Sequence, residues 1–234
     1  MSVTEFLQDL TVLRPLVILV AWACALLLVD LFLSPRRKRL GAGGSSGLTP
    51  LLAALGLVVV LVFTLLQAAT LTVGGQSAFN GMIHVDGFAI YLNTLVLASG
   101  LAGIALAYDY LRRTKLERGE YYVLLLFSIA GMMLMTMAAD LIMVFLALEL
   151  LSIPLYVLAG FAVPRPASKT QVHSEEAALK YFLMGVFATG FIVYGVALTF
   201  GATATTSLAG IVAAVEGGTA NTAGLLIGAA LGGR

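Results

Sequence analysis

Apolar residues fall into long runs along this chain, separated by short polar stretches. A helix that crosses a bilayer needs about 20 mostly apolar residues, because the hydrocarbon core is about 30 Å thick and a helix rises about 1.5 Å per residue. The pattern therefore predicts an all-α, polytopic bundle of transmembrane helices. Its six full spans are expected at about Leu13–Leu33, Pro50–Ala69, Phe88–Leu111, Tyr121–Ala139, Leu141–Phe161 and Ala177–Phe200.

The polar stretches predict where the helices begin and end. Ser34 and Pro35, with the basic cluster that follows them, are expected to end span one, and the glycine-rich segment 41–47 reads as a flexible linker. Only Ala139 and Asp140 separate spans four and five, so these spans must form a tight hairpin. Ser174 is the expected N-cap of span six, which places Glu175 and Glu176 in the first turn, where the helix dipole favours acids.

The last part of the chain is shorter than a span. Thr222–Leu231 is apolar but has about ten residues, which rise about 15 Å, or half of a membrane. We interpret it as a partial seventh span, truncated at its C-terminus, with a re-entrant or interfacial segment as the alternative. Ser207–Val215 is expected to form a short helix along the membrane surface.

Composition supports a membrane location and excludes several classes of function. Of the 234 residues, 60% are hydrophobic and 11% are charged, whereas a soluble domain has about a quarter charged residues. The net charge of +1 argues against a nucleic-acid partner. Cys24 is the only cysteine, so no intrachain disulfide and no Cys/His metal site is expected, and we interpret it as an inert, packed thiol.

The basic residues are confined to alternate loops. The loops after spans one, three and five carry Lys and Arg, whereas the loops after spans two, four and six carry none. The positive-inside rule therefore places the odd loops in the cytoplasm and the N-terminus outside. Arg14, near the start of span one, is the exception.

Glu149 is the main candidate for chemistry, since it lies near the middle of span five. A charged side chain at the centre of a bilayer costs about 2.5–3.5 kcal/mol on insertion scales, and desolvation favours the protonated form of an acid. Pro154 removes a backbone hydrogen bond near Leu150 and is expected to bend the helix there. We interpret Glu149 as a proton-handling group, with a structural hydrogen bond to another helix as the alternative.

Lys180 and Glu176 form the second candidate site, at the start of span six. Their i,i+4 spacing suits an ion pair, and Lys180 is either an interfacial cation that snorkels to water or a cation at the cytoplasmic entry of a proton path. His173, just before them, is a weaker candidate for the same path. Four aspartates at span ends are interpreted mainly as interfacial groups: Asp30, Asp86, Asp109 and Asp140.

Three stretches resemble subunit N of bacterial NADH:quinone oxidoreductase, respiratory complex I. Residues 139–159 are similar to the acidic fifth helix of that family, with its L-E-L-x-S-x-P-L-Y core. Residues 174–185 are similar to its E-A-(A/S)-x-K-Y opening of helix six, and residues 194–203 to its Y-G-x-A-L-x-(Y/F)-G-x-T ending. Residues 85–89 add a weaker match at helix three.

The resemblance implies a membrane-arm subunit that takes part in proton translocation coupled to quinone reduction in the bacterial cell membrane. It implies no cofactor on this chain, with NADH, FMN, iron–sulfur clusters and quinone on other subunits, and other membrane-arm subunits, lipid and protons as partners. Glu149 matches the acid of helix five, and Glu176 and Lys180 match the acid and lysine of helix six. On this reading, residues 1–118 are an N-terminal three-helix segment and residues 119–234 the first part of the antiporter-like repeat.

The chain departs from the family pattern at its end, because the lysine that the family carries on helix seven is not present before Arg234. The isolated chain is therefore expected to be inactive as a translocase and to work as a non-redox subunit. Two alternatives stay open. One is the related subunit of a cation/proton antiporter or membrane-bound hydrogenase, and the other is a structural scaffold for assembly without proton transfer.

The charge pattern gives a direct test of topology. A reporter protein that is active only in the cytoplasm, inserted in the linker 41–47, should be active, because this loop is the most basic one. A periplasm-specific reporter at the same site should be silent. The opposite pair of results would overturn the orientation.

Overall fold

In a computed structural model, the chain is described over residues 3–39, 48–71, 74–114, 118–161 and 169–217. The predicted partial seventh span and the linker 41–47 lie outside these residues. The elements, in chain order, are α1 (Val3–Val12), α2 (Arg14–Arg39), α3 (Leu48–Thr70), β1 (Gln76–Ala78), β2 (Ile83–Val85), α4 (Gly87–Thr114), α5 (Gly119–Met137), α6 (Leu141–Ala159), α7 (Lys169–Thr203) and α8 (Leu208–Glu216).

The prediction of six spans is confirmed. Among the described residues, six helices are long and apolar enough to cross a membrane, namely α2 to α7. The tight hairpin between spans four and five is also present, since α5 ends at Met137 and α6 begins at Leu141. The short helix predicted near Ser207 is α8, and the Ser207 side chain caps it by accepting a hydrogen bond from the Gly210 N–H.

Two helix boundaries were predicted wrongly. The backbone of α2 continues through Pro35 to Arg39, because a proline removes one N–H donor but keeps a φ that a helix can accept. Helix α7 begins at Lys169, so Ser174 lies inside it and is not its N-cap. The Ser174 hydroxyl instead donates to the carbonyl of Ala159 at the end of α6 (2.9 Å).

Helix α5 is the centre of the bundle. It packs against α2, α3, α4 and α6, and half of its most apolar segment is buried within the protein. Leu126, Ile129 and Met133 on α5 are fully buried together with Leu57 of α3 and Leu97 of α4. Helix α7 is at the other extreme: it packs on α6 and α8, and none of its most apolar segment is buried by the described residues.

Small residues set the closest helix contacts. A Cβ atom on Gly131 of α5 would lie 2.4 Å from the backbone N of Leu151 on α6, and one on Gly56 of α3 would overlap the Trp22 ring of α2. Trp22 Nε1 also donates to the carbonyl of Leu52 (3.0 Å), so the indole ring is both packed and hydrogen-bonded. In span six, Gly185 of α7 allows a close contact with the Tyr156 side chain of α6.

The loops at one end of the bundle are bonded to one another. Strands β1 and β2 form an antiparallel hairpin that the sequence reading did not predict. Its Met82 carbonyl accepts from the Ala139 N–H in the α5–α6 loop (2.9 Å), and that loop pairs with the α7–α8 loop through Leu141 N–H to Thr206 O (2.9 Å) and Leu208 N–H to Ala139 O (3.0 Å). The loops after spans two, four and six therefore lie on the same side.

The N-terminal helix joins the same end. The Asp9 carboxylate of α1 accepts from the Phe79 N–H of the β hairpin (3.0 Å). The N-terminus thus shares a side with the even-numbered loops, as the alternation of basic loops requires. That this side is the outside stays a prediction.

Gly131 gives a test of the α5–α6 contact. Gly131→Ala should lower the unfolding free energy of the full chain in mixed micelles by about 1–3 kcal/mol, because the new methyl group meets backbone atoms that cannot move aside independently. Gly103→Ala on α4 is the matched control, since no described atom lies within 4 Å of its added Cβ. Equal stability of the two variants would contradict the contact.

Candidate functional site

Glu149 lies at the middle of α6, as predicted, on a helix whose start is firmly fixed. Asp140 is the N-cap of α6: its carboxylate accepts from the Ile142 N–H (2.8 Å) and from the Thr206 hydroxyl (2.6 Å). Asp140 is itself buried. The tight turn predicted at Ala139 and Asp140 is therefore confirmed, and the bond between Asp140 and Thr206 ties the start of α6 to the residues that follow α7.

The carboxyl group of Glu149 has one identified partner on the neighbouring helix. The Thr189 hydroxyl of α7 donates to Glu149 Oε1 at 2.9 Å. The Glu149 side chain is partly buried. A helix-embedded carboxyl group that accepts one hydrogen bond keeps further lone pairs for a proton, a water or a cation.

Contacts along several turns of α6 and α7 hold Glu149 and Thr189 opposite each other. Tyr156 of α6 packs its hydroxyl end against Gly185 of α7, and its ring makes edge contacts with Tyr181 and Phe182 at centroid distances of 4.8 and 5.7 Å. Residues that come later in α7 contact residues that come earlier in α6: Ser174 bonds Ala159, whereas Gly185 contacts Tyr156. The antiparallel register therefore places Thr189 opposite Glu149.

Close packing supports Glu149 from the other side. Gly131 of α5 lies against the backbone of Leu150 and Leu151. Pro154 is inside α6 and buried, so the Leu150 carbonyl has no N–H four residues further on. The described structure thus places a carbonyl without its usual helical donor next to Glu149, as the sequence predicted.

Glu176 and Lys180 form the predicted ion pair, but away from Glu149. Lys180 Nζ is 2.5 Å from Glu176 Oε1, and the two side chains are 70% and 51% exposed. Lys180 and Thr189 are nine residues apart on α7, so the two sites are separated by about 13 Å along the helix. His173 is exposed one turn before the pair.

Several features of the site were missed by sequence reasoning. Thr189 gave no signal beyond being a hydroxyl residue in an apolar span, and Thr206 was not considered. Cys24 was expected to be packed, but its side chain is exposed on the surface of α2. Within the described residues, no group of three or more His, Cys, Asp or Glu side chains could hold a metal ion.

Comparisons with known proteins show which proteins this chain is similar to. A family model described as NADH:quinone oxidoreductase/Mrp antiporter, TM, matches residues 138–233. NADH-quinone oxidoreductase subunit N of Chloroflexus aggregans is 45% identical over 227 residues, which cover 95% of this chain and 43% of that protein. Subunit N of Trichlorobacter lovleyi is 41% identical, with 94% of this chain and 42% of that protein covered.

Solved structures agree with this fold. Respiratory complex I of Thermus thermophilus contains a chain with a TM-score of 0.62 and 31% identity, covering 83% of this chain and 38% of that one. An archaeal membrane-bound sulfane sulfur reductase gives a TM-score of 0.64 at 21% identity, covering 92% of this chain and 43% of that one, and supports the fold alone. This chain thus spans less than half the length of these relatives.

A double-mutant cycle tests the bond between Glu149 and Thr189. Thr189→Val and Glu149→Leu, alone and combined, should show a coupling of about 0.6 kcal/mol in the unfolding free energy, the typical value for a hydrogen bond between transmembrane helices. Thr199→Val is the matched control, because the Thr199 hydroxyl bonds its own helix at the Gly195 carbonyl. Additive effects of the first pair would contradict the bond.

Proposed function

We propose, since this chain belongs to the family of NADH-quinone oxidoreductase subunit N, that it takes part in proton translocation coupled to quinone reduction. The chain is a multi-pass protein of the bacterial cell membrane. The proposal extends to its partners, which are other membrane-arm subunits, and to the absence of cofactors on this chain. NADH, FMN, iron–sulfur clusters and quinone are assigned to other subunits.

The observation that carries the proposal is the placement of Glu149. Its carboxyl group lies in the middle of a span and is held by one hydroxyl donor from the next helix. A carboxyl group can bind and release a proton, and it keeps an acceptor oxygen for the Thr189 hydroxyl in both forms. The group can therefore gain or lose a proton when the charges of neighbouring subunits change.

Glu176 and Lys180 are assigned a supporting role at the cytoplasmic end of α7. The exposed ion pair places a cation about 13 Å before Thr189 along the helix. When Lys180 is not paired with Glu176, its positive charge stabilises a carboxylate further along the proton path. The same charge repels an incoming proton. In the proposed mechanism, Glu176 controls how far the Lys180 charge is neutralised, and Glu149 responds to the remaining field.

The mechanism needs no redox chemistry from this chain. Electron transfer would take place on other subunits, and its energy would reach Glu149 as a change in local electrostatics. Each proton would enter from the cytoplasmic side, reside on Glu149 and leave toward the side that carries the β hairpin. The Leu150 carbonyl beside Pro154 is a suitable acceptor for a water next to the carboxyl group.

Glu149→Gln in the assembled complex tests the proposal. The variant keeps a hydrogen-bond acceptor for Thr189 but cannot ionise, so proton pumping coupled to NADH:quinone turnover should fall by about tenfold or more, with the amount of assembled complex unchanged. Glu216→Gln, an exposed acid at the end of α8, is the matched control and should pump normally.

The same experiment separates proton transfer from a scaffold role. Normal pumping by assembled Glu149→Gln complex would contradict the proposal. Loss of assembly with normal turnover in the complex that remains would also contradict it, and would support the scaffold alternative.

A further inference from the structure

Among the described residues, Arg14 is the one lysine or arginine that the topology leaves on the side of the membrane with the β hairpin. It is the first residue of α2, and its side chain is exposed. It forms no ion pair or hydrogen bond with another side chain of the described structure. The proton-transfer mechanism gives it no role, so its position calls for a separate explanation.

Arg14 lines a cleft of about 240 Å³. The cleft is formed where α1 meets α2, with the end of α3 as one wall and Gln76 of β1 at the rim. Pockets for drug-sized ligands measure about 300–1,000 Å³. This volume therefore suits a small polar group, not a complete organic ligand.

The cleft has an apolar side and a polar side, ordered along the membrane normal. Phe63 and Leu66 of α3 line its deeper part, and Gln67 and Thr70 line the part toward the helix end. Seven residues of helix separate Phe63 from Thr70, which corresponds to about 10 Å. The lining thus changes from hydrocarbon-like to polar over the distance between the acyl chains and the head groups of a lipid.

The polar rim is fixed in place by the protein's own hydrogen bonds. Gln67 Nε2 donates to the Val12 carbonyl (2.8 Å), the Thr70 hydroxyl donates to the Gln67 carbonyl (3.1 Å), and the Thr11 hydroxyl donates to the Gln8 carbonyl (2.7 Å). Both threonine hydroxyl hydrogens are therefore used, so the oxygens of these two cleft-lining residues are left as acceptors. No acidic side chain of the described residues lines it.

We propose that this cleft binds the head group of a membrane phospholipid, with Arg14 on the phosphodiester and the acyl chains along Phe63 and Leu66. Guanidinium groups bind phosphate oxygens in a bidentate manner. The threonine oxygens can accept hydrogen bonds only from a head group that has donors. The site therefore prefers phosphatidylethanolamine or phosphatidylglycerol to phosphatidylcholine.

Native mass spectrometry of the full chain in detergent, titrated with each of the three lipids, tests this proposal. Phosphatidylethanolamine and phosphatidylglycerol should bind more tightly than phosphatidylcholine. Arg14→Gln should weaken their binding by about tenfold, the effect of one charge-assisted hydrogen bond. Arg112→Gln is the matched control, since that exposed arginine lies at the opposite end of the bundle.

Two further arms make the test decisive. Inorganic phosphate and glycerophosphoethanolamine, which lack acyl chains, should not displace the lipid at equal concentration, and displacement by inorganic phosphate would overturn the lipid assignment. Thr70→Val, at an exposed position, should reduce the preference over phosphatidylcholine while leaving the fold intact, because one of the two acceptor hydroxyls is lost. Equal lipid affinity of Arg14→Gln and Arg112→Gln, or no preference among the head groups in the parent chain, would overturn the proposal.

Discussion

Polar groups inside a bilayer have no water to bond with, and this constraint governs how the helices of this chain fit together. Several polar side chains within its spans bond to a neighbouring helix or to their own backbone. Trp22 bonds the Leu52 carbonyl, Thr136 bonds Asn93, and Thr189 bonds Glu149. The last of these pairs has a different consequence from the others, because a carboxyl group can exchange a proton and an amide or indole cannot.

The position of that carboxyl group follows from contacts at the two ends of the α6–α7 pair. At one end, Asp140 caps α6 and binds Thr206 just after α7. At the other end, Ser174 of α7 bonds the last residue of α6. These two contacts fix the register of α6 against α7, so Thr189 is the α7 residue that lies opposite Glu149. The exposed face of α7 leaves Glu176 and Lys180 accessible to further protein, which fits the proposed role within a larger assembly.

The sequence allowed prediction of the spans, the central position of Glu149 and the turn at Asp140, because these depend on local hydropathy and local turn chemistry. The boundaries at Arg39 and Lys169 were missed because a helix that extends into water is not limited by hydropathy. The exposure of Cys24 and the pairing of Thr189 with Glu149 depend on how helices rotate about their axes and pack. Hydropathy reports that a helix is in lipid, but it does not report which neighbour each face meets. The division at residue 118 and the roles of Glu176 and Lys180 stay predictions.

In the proposed mechanism, Glu149 changes its protonation state during turnover. Redox-induced infrared difference spectroscopy on the assembled complex tests this most directly, since a protonated carboxyl group has a C=O stretching band that its carboxylate lacks. If Glu149 carries the proton, a carboxyl band should appear or disappear on reduction of the parent complex and be missing in Glu149→Gln. A difference spectrum in which every carboxyl band is the same in the parent complex and in Glu149→Gln would contradict it.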